Sequence, residues 1–125
     1  MTENEISKIV VDCCFKIHTT LGPGLYESVY EKVLCYELNK RGLKIKRQQI
    51  LPVIYDGIKI KTGFRTDIIV EDKVILELKS VENLQPVYSK QLLTYLKLSG
   101  MKLGLLINFS ESLIKNGIHR IVNNL

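Results

Sequence analysis

Three charged residues interrupt two apolar runs in the middle of the chain. In "RTDIIVEDKVILELKS", Arg65 to Ser80, Asp67 falls in the first run, and Glu77 and Lys79 fall in the second. A charge inside such a strand is costly unless it is paired, hydrated or bound to a metal. Aliphatic runs around a short polar turn read as a β-hairpin, Phe64 to Val70 and Val74 to Ser80. Strand side chains alternate between faces. Phe64, Thr66, Ile68 and Val70 therefore share one face, as do Val74, Leu76 and Leu78. Arg65, Asp67 and Ile69 take the opposite face, joined by Ile75, Glu77 and Lys79.

Register decides whether the charges meet. With Glu71, Asp72 and Lys73 as a three-residue loop, Val70 pairs with Val74. Counting back sets Asp67 opposite Glu77 and Arg65 opposite Lys79. A slip of one residue turns Asp67 to the wrong face, so core burial favours the register that joins the carboxylates. Directly opposed Cβ atoms lie roughly 4.5–5.5 Å apart, near enough for two carboxylates to grip one divalent cation. Without a cation they repel, and one tends to hold a proton. The competing structure is a cross-strand ion-pair cluster of Asp67 and Glu77 with Arg65 and Lys79.

The rest of the chain must position this hairpin. Thr2 and Glu5 fit a capping box and start a helix near Glu3. Ile6, Ile9, Val10, Cys13 and Ile17 form its apolar stripe. "LGPG", Leu21 to Gly24, stops it. A second helix is expected from about Leu25 to Arg41, ended by Gly42, with Val29, Val33, Tyr36 and neighbouring leucines buried. "LKIKRQQILPVIY" reads as an extended segment interrupted near Pro52, and Asp56-Gly57 is a hairpin-turn signal. A third helix runs from Pro86 to about Ser99, with Gly100 at its end. "KLGLLINF" is apolar throughout, as befits a strand buried on both faces. "GIHRIVNN" fits either a short strand or a helical turn. A helix crossing between two strands implies a parallel pair beside the hairpin. The expected fold is an α/β sandwich, a mixed sheet with helices on both faces, in a single domain over residues 1–125.

Composition sets limits on function. The 125 residues are 46% hydrophobic and 25% charged, ordinary for a globular protein. No apolar run is long enough to span a membrane, and "MTENEISKIV" lacks the basic start and apolar block of a signal peptide. A cytoplasmic location is the expectation. Cys13, Cys14 and Cys35 are odd in number and form no C-x-x-C pattern. Cys14 and His18 have helical metal-pair spacing, but burial in the helix accounts for them better. The "GPG" turn lacks the lysine and hydroxyl of a phosphate-binding loop. A formal charge of +5 favours a polyanionic partner. Lys44 and Lys46 share a strand face, as do Lys59 and Lys61, and with Arg47 and Arg65 they are candidates to follow a phosphate backbone.

An Asp in one strand, then Glu-x-Lys in the next and a following helix, resembles the PD-(D/E)XK nuclease superfamily. "LGPGLYESVYEKVL", Leu21 to Leu34, is similar to the defining motif of its GxxExxY family, with Gly24, Glu27 and Tyr30 in register. "FRTDIIVEDKVILELKSV", "QLLTYL" and "LGLLINF" resemble that family's later blocks, so the likeness runs from the first helix to about Phe109. Thr66 stands where the superfamily name has Pro, at a position that varies.

The resemblance implies a restriction-endonuclease-like fold and a set of roles. Asp67 and Glu77 would bind Mg2+ or Mn2+, hard cations suited to carboxylate oxygens. Glu27 would complete the metal site from the second helix. Lys79 would orient the attacking water and stabilise charge on the scissile phosphate. Gln91 and Tyr95, one helical turn apart, resemble the Gln-x-x-x-Tyr element of RecB-like and λ-exonuclease-like members. The implied activity is metal-dependent hydrolysis of phosphodiester bonds in DNA, or less readily RNA. The chain has little room for a separate DNA-reading element, which speaks against sequence-specific cleavage by a lone copy and for a homodimer. Two rival readings use the same residues. One is a catalytically weak or inert module that binds nucleic acid or protein on this fold. The other is a structural dimer whose charged cluster is only an ion-pair network.

Overall fold

The computed structural model describes the backbone of residues 1–125 and every side chain except that of Thr62. Helix α1 spans Glu3–Leu21 and opens with the full capping box, Thr2 accepting from Glu5 N while Glu5 accepts from Thr2 N. Helix α2 spans Glu27–Lys40, starting later than Leu25 because the Leu25 amide is held by the Tyr30 hydroxyl. Strands β1 (Ile45–Tyr55), β2 (Ile58–Val70) and β3 (Val74–Lys79) follow. Helix α3 spans Pro86–Ser99 and ends on Gly100 in the left-handed conformation, with φ of 78°. Strand β4 (Leu103–Asn108) and strand β5 (Ile118–Val122) close the chain, separated by a single 3-10 turn at Ile114–Asn116. Of the two alternatives for "GIHRIVNN" the strand is the observed one, and the 3-10 turn lies just before it.

The five strands lie in chain order, β1 to β5. All pairs are antiparallel except β3 with β4, which α3 joins in parallel. Helices α1 and α2 cover one face of the sheet. Ile6, Val10, Cys13, Ile17, Tyr30, Leu34 and Leu38 meet Ile68, Val70, Val74, Leu76, Leu78, Leu103 and Leu105 there. Helix α3 covers the other face, with Leu92 and Leu96 against Ile75 and Leu106. Leu92 packs so closely on β4 that a Cβ on Gly104 would lie 2.9 Å from its side chain. Each fully buried aliphatic side chain contributes roughly 1.5–3 kcal/mol, so the two layers fix the sheet between them. The α/β sandwich with a mixed sheet is the observed fold.

Two expectations about faces need correction. On α2, Val29 and Tyr36 are 38% and 62% exposed, and the buried face instead runs through Tyr30, Leu34, Cys35 and Leu38. The helix can turn this way because its two inward carboxylates are paired. Glu31 meets Arg47, and Glu37 takes Lys16 Nζ at 3.0 Å on both oxygens. In β2, Phe64 does not join Ile68 in the α1–α2 core. It stacks on Tyr95 of α3, with ring centroids 4.0 Å apart. The strand is irregular between them, since Gln48 on β1 has φ of 52° and the pairing skips its position, opposite Asp67.

Candidate active site

The hairpin loop behaves as read. Val70 pairs with Val74, Ile69 with Ile75 and Ile68 with Leu76. The next rung is where β2 and β3 part. Arg65 lies opposite Ile50 of β1, and no rung joins it to Lys79. At the point of separation the Asp67 side chain replaces β2 backbone: Leu78 N donates to Asp67 Oδ2 at 2.8 Å. The parting strands open a cleft of about 360 Å3 lined by Glu27, Ser28, Glu31, Gln48, Asp67, Leu78 and Lys79.

Glu77 faces α3, in a narrow pocket with Lys79, Tyr88, Gln91 and Tyr95. Lys79 lines both spaces and so stands between them. Its Nζ sits 4.2 Å from the centre of the Tyr88 ring, a cation–π contact. Glu77 Oε1 is buried with no hydrogen-bond partner. Burial, and next the Asp67 carboxylate, push the Glu77 carboxyl up to about 8. Burial also raises Asp67, opposed by the Leu78 N–H bond and reinforced by the charge of Glu31. Two coupled carboxyls titrate as a pair, and here Glu77 holds the proton. Burial and the charges of Glu77 and Asp67 raise the Tyr95 phenol in turn.

This pair fits a divalent cation. An ionised, unpartnered carboxylate oxygen in a buried site is what a metal would satisfy, and a metal would also relieve the repulsion that keeps Glu77 protonated. Glu27 is exposed and lines the same cleft as Asp67. Among the described residues no three carboxylate, histidine or cysteine side chains are already gathered as a metal site. Asp67 and Glu77 are thus the pair available to hold a cation, and Glu27 shares the cleft with Asp67.

The other sequence candidates are placed as follows. Gln91 and Tyr95 both reach the pocket of Glu77. Arg47 is bound to Glu31, and Lys44 and Lys46 both pair with Asp72 in the hairpin loop, at 2.9 and 2.8 Å. Lys59, Lys61 and Arg65 are exposed on β2. His18 is bonded to the Glu111 carbonyl at 2.8 Å. Cys14 is fully buried and its thiol is pushed far up by that burial, so the pair with His18 is no metal site.

Sequence reasoning placed Tyr30 in a motif without giving it a task, and it missed Asn108 and the part played by Ser80. Tyr30 is wholly buried and stacks on Phe109, with centroids 4.3 Å apart. Its hydroxyl donates to Gly22 O at 2.5 Å and accepts from Leu25 N at 3.2 Å, which pins the loop leading to Glu27. Asn108 is buried and holds the segment after Lys79. Its Nδ2 donates to Val81 O, and its Oδ1 accepts from Val81 N and Ser110 N. Ser80 Oγ donates to Leu25 O at 2.6 Å, tying the two walls together. The Asn at the end of an apolar strand was the signal for Asn108, because a buried amide there needs partners.

The family model of the PD-(D/E)XK nuclease superfamily matches residues 4–121. The chain belongs to the PD-(D/E)XK nuclease superfamily. Superfamily membership accounts for the mixed sheet with helices on both faces. No curated protein and no solved structure matches the chain. No helix among the described residues is long and apolar enough to cross a membrane.

Proposed function

We propose that this protein is a Mg2+- or Mn2+-dependent nuclease of the GxxExxY type that hydrolyses phosphodiester bonds in DNA, and less readily in RNA. One observation carries the reading: Glu77 Oε1 is buried and unpartnered beside Asp67, two residues before Lys79. Asp67 and Glu77 would hold the cation, with Glu27 reaching it directly or through water. When bound, the cation supplies an acidified water and neutralises phosphate oxygens.

The remaining work falls to side chains of this chain. Lys79 places a positive charge at the junction of the two spaces, where negative charge develops on the phosphate. Gln91 and Tyr95 confine Glu77 from the α3 side. Lys59, Lys61 and Arg65 offer an exposed basic strand for the backbone of the substrate. A homodimer would extend that surface.

The test is cleavage of labelled single-stranded, duplex and branched DNA, and of RNA, across a panel of divalent cations. Cleavage with Mg2+ or Mn2+ that is lost in Asp67→Ala supports the reading. Equal inertness of wild type and Asp67→Ala in every condition rejects it. Among the described residues no three ligand side chains are gathered, which favours a second reading, a module that binds nucleic acid without cutting it. Retained binding with no cleavage would select that reading.

A further inference from the structure

Glu31 is the titratable group in the cleft that the proposed reaction leaves unused. Its side chain is 9% exposed, yet it lines the cleft with Asp67. Its oxygens are fully engaged. Arg47 Nε and Nη2 both donate to Oε2, at 3.2 and 2.5 Å, and Gln48 Nε2 donates to Oε1 at 2.6 Å. Gln48 reaches Glu31 from a backbone with φ of 52°, at a position where β1 skips a rung, opposite Asp67. A non-glycine residue in that conformation is sparsely populated and is held there by its surroundings. The clamp is therefore part of what lets β2 release Asp67 into the cleft.

Charge gives the clamp its purpose. Glu27, Glu31 and Asp67 line the cleft, with Lys79 the one cationic side chain among its lining residues. With Glu31 unpaired, a phosphate entering the cleft would face three carboxylates and one ammonium group. Arg47 cancels Glu31 in a charge-assisted bond whose acidic partner is buried while the Arg47 side chain stays 43% exposed, so the cost of an unpaired charge falls mainly on Glu31.

We propose that Arg47 and Gln48 are positioning residues that act on the site through Glu31, cancelling its charge and holding the wall opposite Asp67 so that a phosphate can enter. This rests on the nuclease reading for the identity of the ligand. It assigns Arg47 to holding Glu31, which lines the cleft, instead of to a phosphate contact.

The experiment is a double-mutant cycle on Arg47→Met and Glu31→Gln, with Arg47→Lys as the variant that keeps the charge. The probe is a labelled oligodeoxynucleotide, single-stranded or duplex, with Ca2+ replacing Mg2+ to hold back cleavage. Thermal unfolding is followed in parallel. Arg47→Met should weaken binding about tenfold, the scale of one charge acting through a partly solvated cleft. The double variant, in which both charges are gone, should regain most of that loss, and Arg47→Lys should lose less than Arg47→Met. A double variant as weak as Arg47→Met would overturn the proposal and make Arg47 a phosphate contact. If the wild type binds no oligonucleotide, the nuclease reading fails, and the unfolding cycle still decides the clamp. There, Arg47→Met must lower the midpoint more than the double variant does, and equal or additive losses would refute the coupling.

Discussion

Asp67 Oδ2 accepts the backbone N–H of Leu78 at 2.8 Å, so a side chain of β2 takes the place of its own backbone as the partner of β3. The two strands can separate at this point without stranding a buried donor. Their separation opens the cleft and leaves Glu77, one residue before Leu78, buried beside Asp67 with an oxygen to spare. The break in the hairpin and the candidate metal pair are one feature.

Stability of the metal-free protein should fall as pH rises. A carboxyl whose folded pKa is raised keeps its proton longer in the native state. For Glu77 the contribution is fully present below about 4.5 and is lost as pH rises through about 8, and Asp67 adds with the same sign. Thermal midpoints measured across that window should decline, and Glu77→Gln should flatten most of the decline. A wild-type profile that is level over the window would contradict the buried pair.

Removing the Lys79 charge should separate chemistry from metal binding. Lys79→Met is expected to cut the cleavage rate by about 10²–10³-fold, the usual cost of losing one preorganised charge donor. Metal affinity should be kept or raised, since a cation near the carboxylates has gone. Rate and Mn2+ affinity measured on the same preparation check this; a parallel loss of both would place Lys79 in the metal site's structure instead.

Much of the fold was legible because local signals agreed with it. Thr2 with Glu5 marked the start of α1, Gly100 the end of α3, and the three-residue loop set Val70 against Val74. That register set Asp67 directly opposite Glu77, but the paired rungs end at Ile68 and Leu76. What failed was information carried by distant partners. The buried face of α2 depends on Glu31 and Glu37, whose partners Arg47 and Lys16 lie 16 and 21 residues away. Without those bonds Glu31 and Glu37 read as exposed, which turned the predicted face toward Val29 and Tyr36. Phe64 was misplaced for a related reason: alternation assumes an unbroken ladder, and the ladder lapses beside Gln48.

Tyr30→Phe should loosen the loop before Glu27 while sparing the core. The ring stacking on Phe109 survives, but Gly22 O and Leu25 N lose the hydroxyl between them. A loss of about 1–2 kcal/mol is expected, with faster hydrogen exchange at the Leu25 amide. Denaturant unfolding and exchange measure the two effects. Unchanged exchange at Leu25 would show that the hydroxyl does not pin the loop.

Asn108→Ala should act more severely. It deprives Val81 N, Val81 O and Ser110 N of their partner just beyond Lys79. About 1–3 kcal/mol should be lost, together with part of the activity, because the exit of β3 is no longer anchored. The check is denaturant unfolding beside cleavage rate. Stability within about 0.5 kcal/mol of wild type, the range of an inert surface change, would remove Asn108 from the framework.

The account stands most directly on cation binding by Asp67 and Glu77, measured by titrating Mn2+ into the purified protein by calorimetry in two buffers of different protonation enthalpy. The expected result is one ion per chain, bound with release of a proton near neutral pH as Glu77 ionises, and lost in Asp67→Ala. Binding that is absent at millimolar Mn2+, or that persists unchanged in Asp67→Ala, would contradict it.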